Sequence, residues 1–257
     1  MSDKLLVETI GHTAVITMNN PPANTWDHQS LAELPLLIEK LNADRKIYSL
    51  VITGSGDKFF CAGADLNMFT ECGKGGAYEI SALFGQAFEI LSNFRGVSIA
   101  AINGYAMGGG LEVALACDIR IGEEQISVAL PEAKVGLLPC AGGTQRLLSL
   151  TSEGWAKRMI LCGERIKADK ALEIGILEEV VGRGESKTKA LELASQVAEQ
   201  SPTSVAACKS LIHESRVVLD KGIILERELF ANLFDTEDQT EGVSAFLDKR
   251  KPEWKNA

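Results

Sequence analysis

Apolar residues along this chain recur at two spacings, one typical of strands and one typical of helices. Short apolar or alternating runs at 5–9, 14–18, 48–53 and 97–102 predict strands. Apolar residues three and four positions apart predict helices at 30–42 and 77–94. The order of these elements predicts an α/β fold in which helical crossovers join the strands of a mostly parallel sheet.

The pattern changes after Gly182, where helical spacing continues without a further strand. It predicts helices at 186–199, 203–219, 225–234 and 240–250. Helices without a sheet must bury their apolar faces against the core of the same chain or against a neighbouring subunit. We therefore expect a core at 1–195 and a helical oligomerisation region at 196–257, which favours a homo-oligomer.

Composition and charge exclude several classes of function. The 257 residues carry 26 basic and 35 acidic side chains, a net charge of −9, so the surface as a whole repels polyanions. We expect no nucleic-acid partner. The most apolar stretch, 97–117, is interrupted by Asn103, four glycines and Glu112, which makes it a poor membrane span. We expect no membrane partner and, since no signal-peptide pattern opens the chain, a soluble protein.

Cysteine and histidine positions give no metal-binding pattern. The six cysteines are scattered without a CxxC pair, and the three histidines lie far apart in sequence. This usage is typical of reduced thiols in a cytoplasmic protein, and we predict no metal site. Cys61 and Cys140 are more typical of small packing residues than of nucleophiles, because neither has an evident histidine partner.

Two glutamates flank a glycine-rich turn and are the strongest indication of chemistry. Glu112 follows the turn 108–110, and Glu132 comes twenty positions later, each beside an apolar segment that can desolvate a carboxyl and tune it for proton transfer. The turn opens a helical pattern, so unpaired N–H groups lie at a helix start. A second turn of small residues at 60–66 can aim another N–H at the same point, which would create an oxyanion hole.

Four motifs, in this order, resemble the enoyl-CoA hydratase/isomerase (crotonase) superfamily. They are FCAGADL at 60–66, NGYAMGGGLE at 103–112, LPE at 130–132 leading to GGTQRL at 142–147, and EGVSAFLDKRKP at 241–252. The resemblance covers nearly the whole chain. It implies a spiral of ββα units followed by a C-terminal helical trimerisation region, usually in a hexamer built as a dimer of trimers. It also implies an acyl-CoA substrate that carries its own coenzyme A, so that no separate cofactor is bound.

The resemblance also assigns roles to residues of this chain. Ala64 and Gly109 would supply the two backbone N–H groups that hold the thioester oxygen of the substrate and stabilise its enolate. Glu112 would help to deprotonate the water that attacks the β-carbon, and Glu132 would supply the proton to the α-carbon. The double-bond isomerases of the superfamily generally resemble the hydratases at only one of these positions, so two glutamates favour hydration.

Coenzyme A contacts follow from the same resemblance. It implies that the backbone around Ala62, Asp65 and Leu66 accommodates the adenine end, and that Phe246 and Lys249 reach the cofactor moiety across a subunit contact. Each has a structural alternative: Asp65 is equally suited to cap a following turn, Phe246 to pack in a core and Lys249 to be a surface charge.

The chain departs from the hydratase pattern at Cys140 and, more mildly, at residues 128–130, where Val-Ala-Leu stands in place of the Phe-Gly-Leu or Phe-Gly-Gln of many relatives. Other functions stay open at this point. Cys140 stands where these enzymes commonly have glycine, which keeps the N–H but adds a side chain near the water. We expect the acyl pocket to be lined by parts of 67–78 and 144–155. The alternatives are double-bond isomerisation or other crotonase-type acyl-CoA chemistry, and a non-catalytic scaffold that binds CoA thioesters or RNA.

Overall fold

The described residues of the computed structural model, 3–69, 73–214, 236–238, 241, 245 and 248–257, contain two β-sheets and a set of helices. The strands are β1 (Leu5–Ile10), β2 (Thr13–Met18), β3 (Ser49–Gly54), β4 (Phe59–Cys61), β5 (Val97–Ile102), β6 (Tyr105–Met107), β7 (Ile119–Glu123), β8 (Ser127–Ala129), β9 (Ile166–Lys167) and β10 (Glu179–Val181). The helices are α1 (His28–Ala43), α2 (Lys74–Ser92), α3 (Gly109–Ala116), α4 (Gly143–Leu150), α5 (Glu153–Leu161), α6 (Ala168–Glu173), α7 (Ser186–Ala198) and α8 (Pro202–Glu214). Short 3-10 helices span Leu66–Phe69 and Glu132–Val135.

The connections repeat a ββα unit that sends one strand to each sheet. The larger sheet has the order β1-β2-β3-β5-β7-β10, and the smaller has the order β4-β6-β8-β9. Thus β3 is followed by β4 and α2, β5 by β6 and α3, and β7 by β8 and the later helices. The spiral of ββα units is confirmed by this topology.

Both faces of the larger sheet are covered at its central strands, whereas the edge strand β1 is exposed after Leu5. One face, which includes Val15, Val51 and Ile99, packs on Ala190 and Ala194 of α7. The opposite face packs into the main core, together with the smaller sheet and helices α1, α2 and α3. Because both sides are buried, the central strands are rich in apolar residues, and all six residues of β3 are buried.

The predicted elements before residue 103 match the structure to within three residues at each end. Helix α1 begins after Asp27, whose side chain accepts the N–H of Ser30 while the Ser30 hydroxyl accepts the N–H of Asp27, a capping box. The sequence did not predict the short strands of the smaller sheet, nor β7 and β10. Among the described residues, no helix is long and apolar enough to cross a membrane.

The C-terminal helices begin on the core of the same chain. The predicted boundary between 195 and 196 falls inside α7, which covers the larger sheet. Helix α8 is anchored by Lys209, whose ammonium donates to Asp118 Oδ2 at 2.7 Å and to the Phe94 carbonyl at 2.6 Å. The predicted helix at 225–234 lies outside the described residues, as do 215–219 and most of 240–250. The division into two regions and the oligomerisation role therefore stay predictions.

Substitution of two helical glycines can test how closely α3 packs against β4. A Cβ on Gly110 of α3 would lie 2.0 Å from the Cys61 carbonyl oxygen, whereas one on Gly85 of α2 would meet only the Glu89 carboxyl, at 3.8 Å. We expect Gly110→Ala to lower the free energy of unfolding by about 3 kcal/mol, since backbone must move. Gly85→Ala should raise it by about 0.5–1 kcal/mol through lower chain entropy. Urea denaturation of both variants measures the difference, and equal stabilities would contradict the close approach.

Candidate active site

The glycine-rich turn positions the start of α3 against the turn that follows β4. Gly108 has φ +53°, a backbone conformation that residues with a Cβ rarely adopt. Its N–H donates to the Ala129 carbonyl at 2.9 Å. Its carbonyl accepts the N–H groups of Leu111 and Glu112, which begins the helix. The absence of a side chain at Gly110 then lets the helix contact the backbone of Cys61.

Two backbone N–H groups converge where these turns meet. Trp26 donates its N–H to the Gly63 carbonyl and accepts the N–H of Asp65, so Ala64 between them directs its own N–H to the opposite side. Gly109 is the first residue of α3, where the N–H has no partner within the helix. The Ala64 nitrogen lies 3.8 Å from the position of a Cβ on Gly109. The two predicted donors are therefore neighbours in the fold.

Glu112 lies in the first turn of α3 and is 2% exposed. Its Oε1 accepts the N–H of Ala141 at 2.8 Å and the N–H of Gly143 at 2.9 Å. Burial raises the pKa of this carboxyl, and the two N–H groups and the Arg146 charge offset part of that rise by favouring the anion. The sequence did not predict these backbone donors, although the glycines at 142 and 143 indicate a turn where a side chain can come close.

Glu132 begins the 3-10 helix after β8 and lies in a different environment. Neither of its carboxyl oxygens has a hydrogen-bond partner among the described residues, although both are shielded from solvent. Burial raises its pKa to about 7, and the charge of Glu112 acts in the same direction, while the N–H of its own residue offsets part of the rise. A Cβ on Gly108 would lie 3.2 Å from Glu132 Oε1, so the glycine turn also makes room for this carboxyl.

A cavity of about 340 Å³ brings the two glutamates and the two turns together. Its lining consists of Ala62, Gly63, Ala64, Leu66, Phe69, Phe84, Met107, Gly108, Gly109, Glu112, Pro131, Glu132, Lys134, Val135, Leu137, Leu138, Cys140 and Arg165. Six of the predicted site residues are in this set: Ala62, Ala64, Leu66, Gly109, Glu112 and Glu132. The charged lining residues are the two glutamates, Lys134 and Arg165, and most of the other lining residues are apolar.

Two of the other predicted binding residues, Asp65 and Lys249, do not line the cavity. Asp65 caps the 3-10 helix at Leu66–Phe69, because its Oδ1 accepts the backbone N–H of Asn67 at 3.0 Å. Lys249 is exposed, with φ +55°, and does not line the cavity. Phe246 lies outside the described residues.

The cavity supports the acyl-pocket prediction for one of its two segments, and the prediction for the other segment stays a prediction. Phe69 from the predicted 67–78 segment lines the cavity, but no residue of 144–155 does. The wall is formed instead by Lys134, by the apolar residues at 135, 137 and 138, and by Arg165. The sequence does contain a signal for this wall. The run Val135–Pro139, shortly after Glu132, is apolar and too short to form a helix of its own.

Cys140 lies in the same wall as a neutral thiol. Burial raises its pKa to about 11, and the charges of Glu112 and Glu132 act in the same direction. The thiol of Cys61 is fully buried, and this burial raises its pKa to about 12. Neither environment favours the thiolate that a nucleophile requires. Within the described part of the chain, no group of three or more His, Cys, Asp or Glu residues has an arrangement that could hold a metal ion.

Comparisons with known proteins show similarity over nearly the whole chain. A profile described as enoyl-CoA hydratase/isomerase matches residues 8–257. The short-chain-enoyl-CoA hydratase of Clostridium acetobutylicum is 36% identical, with 98% of this chain and 97% of the relative covered. The solved structure of Pseudomonas aeruginosa DspI is 60% identical, has a TM-score of 0.96 and covers 99% of this chain and 97% of its own. An enoyl-CoA hydratase structure from Bacillus anthracis is 34% identical, with a TM-score of 0.95 and coverages of 99% and 100%.

The raised pKa of Glu132 predicts a pH dependence of stability. Between the ordinary glutamate value of about 4.3 and the folded-state value of about 7, the folded chain holds this proton more tightly than the unfolded chain does. The bound proton of Glu132 therefore adds to the free energy of unfolding at low pH, and this contribution is lost as the pH rises through 7. Glu132→Gln removes this loss, so the Tm of the variant should rise relative to wild type between pH 5 and pH 8.

Thermal denaturation at both pH values measures this difference. Glu39→Gln, at an exposed position of α1, is the control and should shift relative to wild type by the same amount at both pH values. A Glu132→Gln curve that follows wild type across the range would show that the carboxyl titrates as an ordinary exposed glutamate.

Proposed function

This chain belongs to the enoyl-CoA hydratase/isomerase family, and on that premise we propose that it is an enoyl-CoA hydratase, which adds water to the α,β double bond of a 2-enoyl-CoA thioester to give 3-hydroxyacyl-CoA. The observation that carries the proposal is the pair of glutamates in one cavity, because hydration requires both an activated water and a proton donor. Relatives named short-chain-enoyl-CoA hydratase and crotonyl-CoA hydratase, at 36% and 34% identity, support the same reaction.

The different environments of the two carboxyls favour one assignment of roles. Glu112 accepts two N–H groups, which favour its anionic form and suit it to take a proton from the attacking water. Glu132 has a pKa of about 7 and accepts no hydrogen bond from the described residues, so near neutral pH much of it is the acid. It is therefore suited to give a proton to the α-carbon. The two carboxyls titrate as a pair, which holds one proton between them for this purpose.

The proton balance of the reaction follows from this assignment. Water loses a proton to Glu112 as its oxygen bonds to the β-carbon, and the double-bond electrons move towards the thioester oxygen. Glu132 then gives its proton to the α-carbon, which restores the thioester carbonyl. Exchange of one proton with solvent returns Glu112 to the anion and Glu132 to the acid, so that the net change is the addition of one water.

The enolate oxygen is proposed to bind between the N–H groups of Ala64 and Gly109. Their proximity supports this oxyanion hole, and the partial positive charge at the start of α3 adds to it. Glycine is favoured over larger residues at position 109, because the Phe84 and Trp26 side chains lie close to the helix backbone there. A Cβ on Gly109 would lie 3.1 Å from the Phe84 ring. The donors are fixed by backbone packing and need no rearrangement as charge develops.

Coenzyme A enters as part of the substrate, with no separate cofactor. Ala62 and Leu66 line the cavity beside the proposed oxyanion hole, which supports contacts of this strand end with the CoA moiety. For Asp65, Phe246 and Lys249 the same role rests on the sequence motifs. A trimer or a dimer of trimers, with a contribution of the C-terminal region to the neighbouring site, and a cytoplasmic location are proposed on the family resemblance alone.

The two-glutamate mechanism predicts the effect of removing either carboxyl. Glu112→Gln keeps an oxygen that can accept the N–H groups of Ala141 and Gly143, so the fold should survive while the base is lost. Glu132→Gln removes the acid from a position without hydrogen bonds. We expect either change to lower kcat for crotonyl-CoA by about 10²–10⁴-fold, measured as the loss of the conjugated-thioester absorbance.

Glu123→Gln is the matched control for this experiment. Glu123 is also buried, but it accepts the Ser186 hydroxyl at 2.7 Å outside the cavity, so its replacement should leave kcat per folded molecule unchanged. Wild-type protein that binds crotonyl-CoA without hydrating it, yet shifts the double bond of a 3-enoyl-CoA, would replace the hydratase assignment with an isomerase.

A further inference from the structure

Three apolar side chains, at the end of the 3-10 helix that begins at Glu132 and in the loop after it, remain exposed at the wall of the catalytic cavity. Val135 is 53% exposed, Leu137 38% and Leu138 69%, and all three line the cavity that contains Glu112 and Glu132. Single exposed leucines are ordinary in soluble proteins, but a group that shares one cavity is not. We call these three residues the apolar rim.

The apolar rim is held in place by the backbone that carries the acid. The Leu137 N–H donates to the Glu132 carbonyl at 3.0 Å, and Gly136 between Val135 and Leu137 has φ +74°. The chain therefore turns back directly after Glu132, and its apolar side chains face the cavity from the side of this glutamate. The proposed CoA contacts, Ala62 and Leu66, belong to the turn after β4.

The geometry points to the apolar rim as a specificity-determining surface for the acyl chain, which selects enoyl thioesters of medium length over the four-carbon crotonyl group. This inference rests on the proposed hydratase function and names the substrate class of the same site. A crotonyl group has one methyl beyond the reacting carbons and cannot cover three side chains. A longer apolar chain continues past Glu132 and buries both its own methylenes and the apolar rim.

Two cations on the same wall define the main competing occupant. Lys134 and Arg165 line the cavity, and the Lys134 stem lies against Gly163, where a Cβ would be 2.5 Å from its Cε. An acyl chain that ends in a carboxylate would use these charges instead. The three apolar side chains of the rim favour the uncharged chain, and the two kinds of substrate can be compared directly.

The test is the dependence of kcat/KM on chain length. Burial of each additional methylene should raise kcat/KM by about fourfold until the rim is covered. For trans-2-enoyl-CoA substrates of four, six, eight and ten carbons, we expect a rise of at least about tenfold from the shortest to the best. Leu138→Ser should reduce the ratio of the ten-carbon to the four-carbon value by about fourfold.

Leu36→Ser is the matched control variant. Leu36 is 67% exposed, close to the exposure of Leu138, but it lies on α1 and does not line the cavity. This variant should leave the chain-length ratio unchanged. A change of equal size in both variants would mean that the effect comes from general loss of apolar surface, and would overturn the proposal.

Other outcomes also separate the proposals. Hydration of crotonyl-CoA with a flat or falling length profile would overturn the role of the rim and leave the hydratase function intact. No hydration at any length would overturn the function itself. Preference for a chain of equal length that ends in a carboxylate would overturn the role of the rim and indicate that Lys134 and Arg165 select the substrate. A Leu138→Ser variant that changes its mass in solution, with an unaltered length profile, would assign the rim to a second copy of this chain.

Discussion

The direct contact between the backbone of α3 at Gly110 and the carbonyl of Cys61 is the constraint on which the site depends. A Cβ at this position would lie 2.0 Å from the carbonyl oxygen, so no other residue fits without displacing backbone. The contact fixes how closely the start of α3 approaches the turn after β4. The neighbouring N–H groups of Ala64 and Gly109, and the entry of Glu112 into the cavity, both follow from that distance.

The two carboxyls differ because they extend from different elements into different surroundings. Glu112 extends from the helix towards the turn before α4 and there accepts the N–H groups of Ala141 and Gly143. Glu132 comes from a 3-10 helix that faces the glycine turn, where the described residues offer its oxygens no hydrogen bond. Burial disfavours the anion of both carboxyls, but backbone donors from other residues offset part of that effect only at Glu112. The difference arises from the elements that carry them and not from the residue type, which is the same.

Long periodic elements could be predicted from the sequence, and short ones could not. The strand at 97–102 and the helix α1 have enough residues to show a period, and they were found where expected. Three-residue strands such as β4, β6 and β8 show no period, so the second sheet was implied only by family resemblance. Within the site, the motifs identified both glutamates. The partners of Glu112 and the wall at 134–138 depend on how distant turns meet, which no local pattern contains.

The loop that carries the apolar rim has a consequence for how such a protein diversifies. Its exposed side chains make few packing contacts, so substitutions there cost little stability, whereas the glycine turn and α3 are buried and tolerate almost none. The proton-handling groups and the surface next to the acyl chain are therefore under separate constraints, although they share one cavity. Selection can alter the substrate range of this scaffold residue by residue while the chemistry stays fixed.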